Sequence, residues 1–455
     1  MNTIPYSYQV KDVRQLHRFK GRCLLANEMG LGKSLTSLLY VHRRPELRPV
    51  IIICPASLKW NWQREASIHF AMRAEVLEGM KPPPNGGFLG KPQFIIINYD
   101  ILGPWIPYLQ SLKPQVIIID ECQALQSRST KRTRFTRLLC REVPHVIALS
   151  GTPLSNRPAE MWPTLNILRP DLFPSFHPYG NRYCGPRRTF WGTEYKGATH
   201  LPELHSLLLK EVMIRRRQID VLSQLPKKRR SVITLPLSNV KEYQHARDNF
   251  LDWMGERNPS KLYGAAKAEG VTQLGYLKRL AAQLKMPYVL DWIKYFLEES
   301  EGKLVLFAIH KKIISELAEA FGNIHVIVDG SVTGKHRQLA VDKFQNNKNT
   351  RLFIGNIDAA GKGLNLTAAH DVAFAEMSWR PADHLQAEKR CHRIGTKSFV
   401  QIRYLVAQGT IEEKLAKINQ EKQKVLNAVM DGSSNGEHLD IFDQLVKELR
   451  KERET

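Results

Sequence analysis

The sequence predicts an α/β protein built around two parallel, doubly wound sheets. Three observations carry that expectation. Short uninterrupted apolar runs recur in the first third of the chain, as strands buried on both faces require. Segments of helical pattern separate these runs, the alternation that makes parallel sheets. A second alternation of the same kind begins near Lys303.

The elements follow in chain order. Tyr6 to Val10 open a helical pattern that runs through Leu16. The stretch Asn27-Glu28-Met29-Gly30-Leu31-Gly32-Lys33-Ser34 is a glycine-bearing turn leading into an apolar helix, Leu35 to Val41. Val50–Cys54 is the first apolar run, and Leu58–Phe70 is an amphipathic segment after it. A loop rich in proline and glycine, Pro82–Gly90, precedes the run Phe94–Ile97. Val116–Ile119 ends in Asp120-Glu121-Cys122-Gln123, and His145–Leu149 ends in Ser150-Gly151-Thr152-Pro153. Residues 156–230 read as helical, with basic clusters at Arg215-Arg216-Arg217 and Lys227-Lys228-Arg229-Arg230. A helical insertion fills Asn239–Lys285. The second alternation places strands at Lys303–Ala308, Ile324–Val328 and Arg351–Ile354, and helices at His310–Phe321 and Arg337–Phe344. Ile411–Met430 is a charged amphipathic helix, and Ser433–Gly436 reads as a linker to a last charged helix. The expected domains are 1–230, a linker and insertion at 231–285, a second lobe at 286–430 and a charged tail at 431–455.

Six features carry chemistry. Backbone N–H groups in a glycine turn at a helix N-terminus suit phosphate. Lys33 would reach the β/γ-phosphates and Ser34 would ligate Mg²⁺. The motif is imperfect, because Asn27 stands where the pattern wants glycine. Asn tolerates left-handed backbone, which would preserve the turn. A surface turn with a solvated lysine is the competing reading. A carboxylate pair at the C-terminal end of a buried strand lies where open α/β sheets keep ligands. Asp120 suits Mg²⁺ and Glu121 suits activation of water; a solvated acidic turn is the alternative. Gln9 could present an amide to an adenine edge. Arg390 and Arg393 stand three apart, on one face if helical, and paired guanidiniums form a fork for γ-phosphate; the alternative is a solvated basic face. The turn around Gly361 and Gly363 could bring backbone close to a ligand. The basic clusters suit a nucleic-acid contact, an interdomain brace or a solvated face.

Composition narrows the classes. The 455 residues leave room for several domains, and 43% hydrophobic content supports a real core. Net charge is 67 − 44 = +23, an excess that argues for a polyanionic partner and salt-sensitive binding. No apolar run reaches membrane-spanning length, and neither signal peptide nor lipidation motif is expected. The six cysteines are scattered without a C-x-x-C pair, which argues against zinc and a disulfide framework and for buried thiols.

Taken together, Tyr8-Gln9, Glu28-Met29-Gly30-Leu31-Gly32-Lys33-Ser34, Asp120-Glu121, Ser150-Gly151-Thr152-Pro153, Gly363-Leu364-Asn365-Leu366 and Gln386-Ala387-Glu388 with His392-Arg393-Ile394-Gly395 form an ordered set. In this set the sequence resembles the Swi/Snf-like branch of superfamily 2 helicase-related ATPases. The segment from Leu284-Lys285-Met286-Pro287 onward is similar to the annealing-helicase (HARP-like) subgroup. The resemblance spans about residues 5 to 430. It implies two RecA-like lobes of the P-loop NTPase type with helical insertions, ATP and Mg²⁺ as cofactors, and ATP-driven tracking along double-stranded or branched DNA without sequence preference. By position, Asn27, Met29, Gly30, Leu31, Gly32, Lys33, Ser34, Gly363 and Gln9 would hold ATP, with Ser34 and Asp120 on Mg²⁺. Glu121 would activate water, and Arg390 and Arg393 would act as arginine fingers. Ser57, Lys59, Ser150, Gly151, Thr152, His310, Lys311, Asp329, Gly330 and Trp379 match stretches expected near DNA or coupling the lobes. Asn27 stands where the family commonly has Asp, and Cys122-Gln123 replaces a small residue and His. Gln123 keeps the capacity to hydrogen-bond across to the coupling stretches. The expected form is a bare monomeric motor, cytoplasmic in a bacterial or phage-host cell and nuclear in a eukaryote. A strand-separating helicase and a nucleotide-switched clamp without turnover are the competing functions.

Overall fold

The computed structural model describes residues 3–42, 44–82, 92–190, 192–221, 228–250, 252, 269–332, 334–360, 364–392, 396 and 398–432. Among them the chain forms two compact units. One spans Met1–Gln224 together with Lys424–Gly436, and the other spans Leu225–Gln423.

The first unit is organised by a seven-stranded parallel sheet. Its strands are β1 (Arg22–Leu25), β2 (Val50–Cys54), β3 (Glu75–Val76), β4 (Phe94–Asn98), β5 (Val116–Asp120) and β6 (His145–Leu149). A two-stranded hairpin, β7 (Arg187–Thr189) and β8 (Gly192–Glu194), stands apart, and β9 (Met213–Ile214) closes the sheet in the order β3-β4-β2-β5-β6-β1-β9. Helices α1 (Ser7–Arg18), α2 (Lys33–His42) and α3 (Lys59–Phe70) cover it with their partners. The apolar runs behave as expected. Ile51, Ile53, Ile95, Ile97, Ile117 and Ile119 fill one core layer. Their neighbours Val50, Ile52, Phe94, Ile96, Val116 and Ile118 fill the layer on the opposite face. Period-2 geometry sends successive side chains to opposite faces, so only strands covered on both sides tolerate such runs. Leu426, Val429 and Met430, from the end of the last helix, belong to this unit's core.

The second unit carries a six-stranded parallel sheet. Its strands are β10 (Lys228–Leu235), β11 (Leu304–Ala308), β12 (His325–Val328), β13 (Leu352–Asn356), β14 (Asp371–Phe374) and β15 (Val400–Ala407), ordered β10-β15-β14-β11-β13-β12. Its helices include α4 (Glu269–Glu299), α5 (Lys311–Ala320), α6 (Gly334–Asn346), α7 (Pro381–Glu388) and, as far as Gln423, α8 (Ile411–Asp431). The insertion expected to end at Lys285 continues as one helix to Glu299, with Pro287 inside it. Strands β1, β9, β10, β14 and β15 had no clear sequence signal, because they are short, charged or follow turns outside any long apolar run. All six cysteines are buried free thiols. Among the described residues no helix is long and apolar enough to cross a membrane. Most of loop 82–90, the segment 222–227 and the expected tail beyond residue 432 lie outside the described residues.

Among the described residues of the second basic cluster, Arg229 is exposed while Lys228 and Arg230 are half-buried. Lys228 and Arg230 lie on β10 and converge on Glu388, which is wholly buried. Arg230 donates from Nε and Nη2 at 2.9 and 2.7 Å, and the Tyr404 hydroxyl donates at 2.9 Å. Burial works against charge on Glu388, but Arg230 and then Lys228 hold its pKa down at about 2. A carboxylate whose folded pKa is depressed stabilises the fold fully above the ordinary Glu range and loses that contribution as pH falls through the folded value. Arg230→Met is therefore expected to lower the urea midpoint at neutral pH. The gap to the parent chain should narrow as the pH is taken from about 4.5 toward 2. A gap that stays constant across that range would refute the assignment.

Candidate nucleotide site and the coupling residues beside it

Parallel pairing sets the geometry of the first unit's site. Leu25 pairs with Leu149, and Leu149 pairs with Asp120, so one row crosses β1, β6 and β5. The phosphate loop, the stretch after β6 and the acid pair thus emerge side by side at the C-terminal edge of the sheet.

In the loop, Gly30 and Gly32 take positive φ of 81° and 65°. A Cβ on Gly32 would lie 2.5 Å from Gln9 Nε2 as well as strain the backbone. Helix α2 starts at Lys33, whose Nζ donates to Asn27 O at 2.9 Å and Glu28 O at 3.3 Å. Gln9 is buried; its Oε1 accepts from Tyr6 N at 2.9 Å and its Nε2 lies 3.4 Å from Leu31 O. Its amide therefore braces the loop. Asn27 is not among the residues with positive φ. The expectation that Asn serves here for its left-handed tolerance is corrected: its side chain is used instead, donating from Nδ2 to Asp12 Oδ2 at 2.6 Å.

Residues after β9 grip the same loop. Ala26 N donates to Ile214 O at 2.8 Å, and Glu28 N donates to Arg216 O at 2.9 Å. Gln218 Nε2 donates to Met29 O at 2.9 Å, and Gln218 N donates to Glu28 Oε2 at 2.8 Å. Arg215 donates to Ala26 O at 2.8 Å and pairs with Asp431 at 2.9 Å. Arg216 pairs with Asp12, and Arg217 with Asp220. The arginine cluster thus serves internal ion pairs around the loop. Asp12, Gln218 and Trp62 escaped the sequence reading because nothing local marks a polar residue that pairs across long separations.

Asp120 accepts from Trp62 Nε1 at 2.7 Å and from Glu121 N at 2.9 Å. Burial first, and then the charge of Glu121, push its pKa up to about 7, against the Trp62 hydrogen bond and Lys33. Such undercompensated carboxylates fit a hard divalent cation, whose charge would restore the ionised form. Glu121 sits at φ +50°, ψ +52°, a left-handed conformation that costs a non-glycine residue roughly 1–2 kcal/mol. Its Oε2 accepts from Gln123 Nε2 at 2.6 Å. Gln123 Oε1 accepts from the Ser150 hydroxyl at 2.7 Å, and Ser150 Oγ accepts from Thr152 N at 3.0 Å. A continuous chain therefore runs from Glu121 to the Ser-Gly-Thr stretch. Gly151 closes the group: a Cβ there would lie 2.3 Å from Met29 Cγ and 3.1 Å from Met29 N.

The remaining expected residues are placed less uniformly. Ser57 is half-buried. Lys59 is turned inward, with Nζ donating to Leu77 O at 2.8 Å. In the second unit, Asp329 Oδ1 accepts from Ser331 N at 2.9 Å, and Gly330 is exposed after β12. Trp379 is half-buried, with Lys278 Nζ 5.9 Å from its ring centroid. Lys311 is exposed at the start of α5. Arg390 is buried; Nε donates to Gln386 O at 3.1 Å and Nη1 lies 3.4 Å from Leu364 O. Helix α7 ends at Glu388, and Arg390 lies in the turn that follows it. Arg393 and Gly363 lie outside the described residues.

His310 has an unexpected support. The wholly buried Glu376 accepts from Ile309 N at 2.7 Å, His310 N at 2.8 Å and His310 Nδ1 at 2.5 Å. Glu376→Met removes both acceptor oxygens and leaves the backbone amides of Ile309 and His310 without their partner. A loss of about 1–3 kcal/mol is expected, read from urea unfolding; an unchanged midpoint would show that the carboxylate is dispensable.

A family model described as the SNF2-related domain matches residues 8–287. This chain belongs to the SNF2-related family. A model of the helicase conserved C-terminal domain matches residues 285–395 of this SNF2-related chain. It is 33% identical over 414 residues to the SWI/SNF-related matrix-associated actin-dependent regulator of chromatin subfamily A-like protein 1 of Xenopus tropicalis, covering 90% of this chain and 43% of that protein. It is 32% identical over 432 residues to the DNA annealing helicase and endonuclease ZRANB3 of Bos taurus, covering 91% and 39%. The chain thus spans about two fifths of the length of these relatives. The likeness to annealing helicases expected from the motifs is met by the second of these proteins. The solved Sulfolobus solfataricus SWI2/SNF2 ATPase core in complex with dsDNA matches at 24% identity and a TM-score of 0.44, over 99% of this chain and 97% of its own.

Proposed function

We propose that this SNF2-related chain hydrolyses ATP to move along double-stranded DNA without reading its sequence, remodelling DNA or protein–DNA complexes. The observation that carries the reading is the hydrogen-bonded chain Glu121–Gln123–Ser150–Thr152 beside the phosphate loop. It gives a proton-accepting carboxylate a direct mechanical link to a stretch that packs on Met29 of the loop. A clamp without turnover has no need of that carboxylate.

In this mechanism Gly30 and Gly32 shape the loop around phosphate, and Lys33 offers its ammonium to the β/γ-phosphates. Mg²⁺, held by Ser34 and Asp120, would neutralise developing phosphate charge. Glu121 orients water and takes its proton, while Gln123 holds the carboxylate and passes changes at it to Ser150. Arg390 and Arg393 are proposed as fingers, and His310, Lys311, Asp329, Gly330 and Trp379 as DNA or coupling residues. Backbone contacts carry no base information, so the net charge of +23 supports affinity without sequence preference.

Phosphate release measured with and without duplex DNA tests this reading. Stimulation by duplex is expected, together with triplex displacement on intact duplex. Turnover that ignores DNA would overturn it, and fork unwinding without triplex displacement would favour the strand-separating alternative.

A further inference from the structure

Asn27 and Asp12 are both wholly buried. Asn27 Nδ2 donates to Asp12 Oδ2 at 2.6 Å, and Arg216 Nε donates to Asp12 Oδ1 at 2.6 Å. Both donors continue into the phosphate loop. Asn27 O receives Lys33 Nζ at 2.9 Å, and Arg216 O receives Glu28 N at 2.9 Å. Asn27 Oδ1 is buried and finds no hydrogen-bond partner among the described residues, so Nδ2 alone ties this side chain down.

We propose that Asp12 is a positioning residue for the phosphate loop, and that Asp12 and Asn27 act as a matched pair carrying one carboxylate and one amide. This rests on the reading of the loop as an ATP site. Two carboxylates at this contact could not both stay ionised. Two amides would leave Arg216 without its buried counter-charge. One carboxylate and one amide satisfy the group with the charge on either side, since a carboxylate at 27 could accept from an amide at 12. The departure at the head of the phosphate motif is thus the partner of a residue on α1, not a defect.

Four chains test the pairing: the parent, Asp12→Asn, Asn27→Asp and the double exchange. Each is followed by thermal unfolding, by binding of a fluorescent ADP analogue, and by KM and kcat for ATP. Asn27→Asp is expected to weaken nucleotide binding about tenfold or more and to raise KM more than it lowers kcat. The double exchange should recover affinity to within about threefold of the parent. Parent-like binding by Asn27→Asp, or a double exchange no better than the weaker single variant, would overturn the pairing. Should Asn27→Asp not fold, a folded and nucleotide-binding double exchange supports the pairing and an unfolded one overturns it. A parent chain that binds no nucleotide would overturn the ATP reading, while recovery of the unfolding midpoint in the double exchange would still support the pair.

Discussion

Glu121→Gln is expected to keep nucleotide binding and to lose about 10²–10⁴ of its turnover. The substitution keeps shape and removes the basic oxygen. Glu121 already occupies a left-handed conformation, and Gln123 fixes one carboxylate oxygen at 2.6 Å. The strain is sustained by its surroundings: Asp120 Oδ1 accepts the Glu121 amide at 2.9 Å, and the Tyr99 hydroxyl donates to Asp120 O at 2.6 Å. Such over-determined strain belongs to residues whose placement matters. Phosphate release with saturating duplex is the measurement, and binding of the ADP analogue is the control. Lys33→Ala should differ by losing nucleotide affinity as well. Turnover of Glu121→Gln within about tenfold of the parent would remove Glu121 as the base.

The second large effect concerns stability. Lys285→Met is expected to destabilise the second unit by about 3–5 kcal/mol. Lys285 and Glu412 are essentially inaccessible, at 1% and 0% side-chain exposure. Nζ lies 2.7 Å from both carboxylate oxygens and donates to Leu405 O at 2.5 Å, which uses all three of its protons. Glu412 Oε2 also accepts from Ala407 N at 2.7 Å. Removing the lysine strands a carboxylate with a backbone amide as its remaining support. The paired change Lys285→Met with Glu412→Leu should regain much of the loss, because burying apolar surface avoids the desolvation cost of two ions. Urea unfolding of both variants checks this. A single variant within about 1 kcal/mol of the parent would show that the pair is not desolvated as drawn.

The contrast between these two sites shows what was readable in advance. Asp120-Glu121 could be found because the pair is contiguous and ends an apolar strand. The Lys285–Glu412 pair could not, since its partners lie 127 residues apart on unrelated helices. The same holds for Asp12, whose guanidinium partner is 204 residues away. The arginine clusters were legible as charge but not as destination. Arg215, Arg216, Lys228 and Arg230 turn to buried carboxylates, because the low dielectric of the interior makes an unpaired charge costly. Arg390 shows the same limit at a helix end: the pattern does not mark where α7 stops, and it stops at Glu388.

The sequence by itself determined the two parallel sheets, the loop at Asn27–Ser34, the acid pair and the polyanion-seeking charge. Each is a local pattern or a sum over composition, and backbone sterics and burial translate it directly into structure. Tertiary structure alone decided why the loop begins with Asn, where the basic clusters point and how Glu121 is tied to Ser150. Those depend on which distant groups share one buried volume, and there a polar atom must find its partner whatever its distance along the chain.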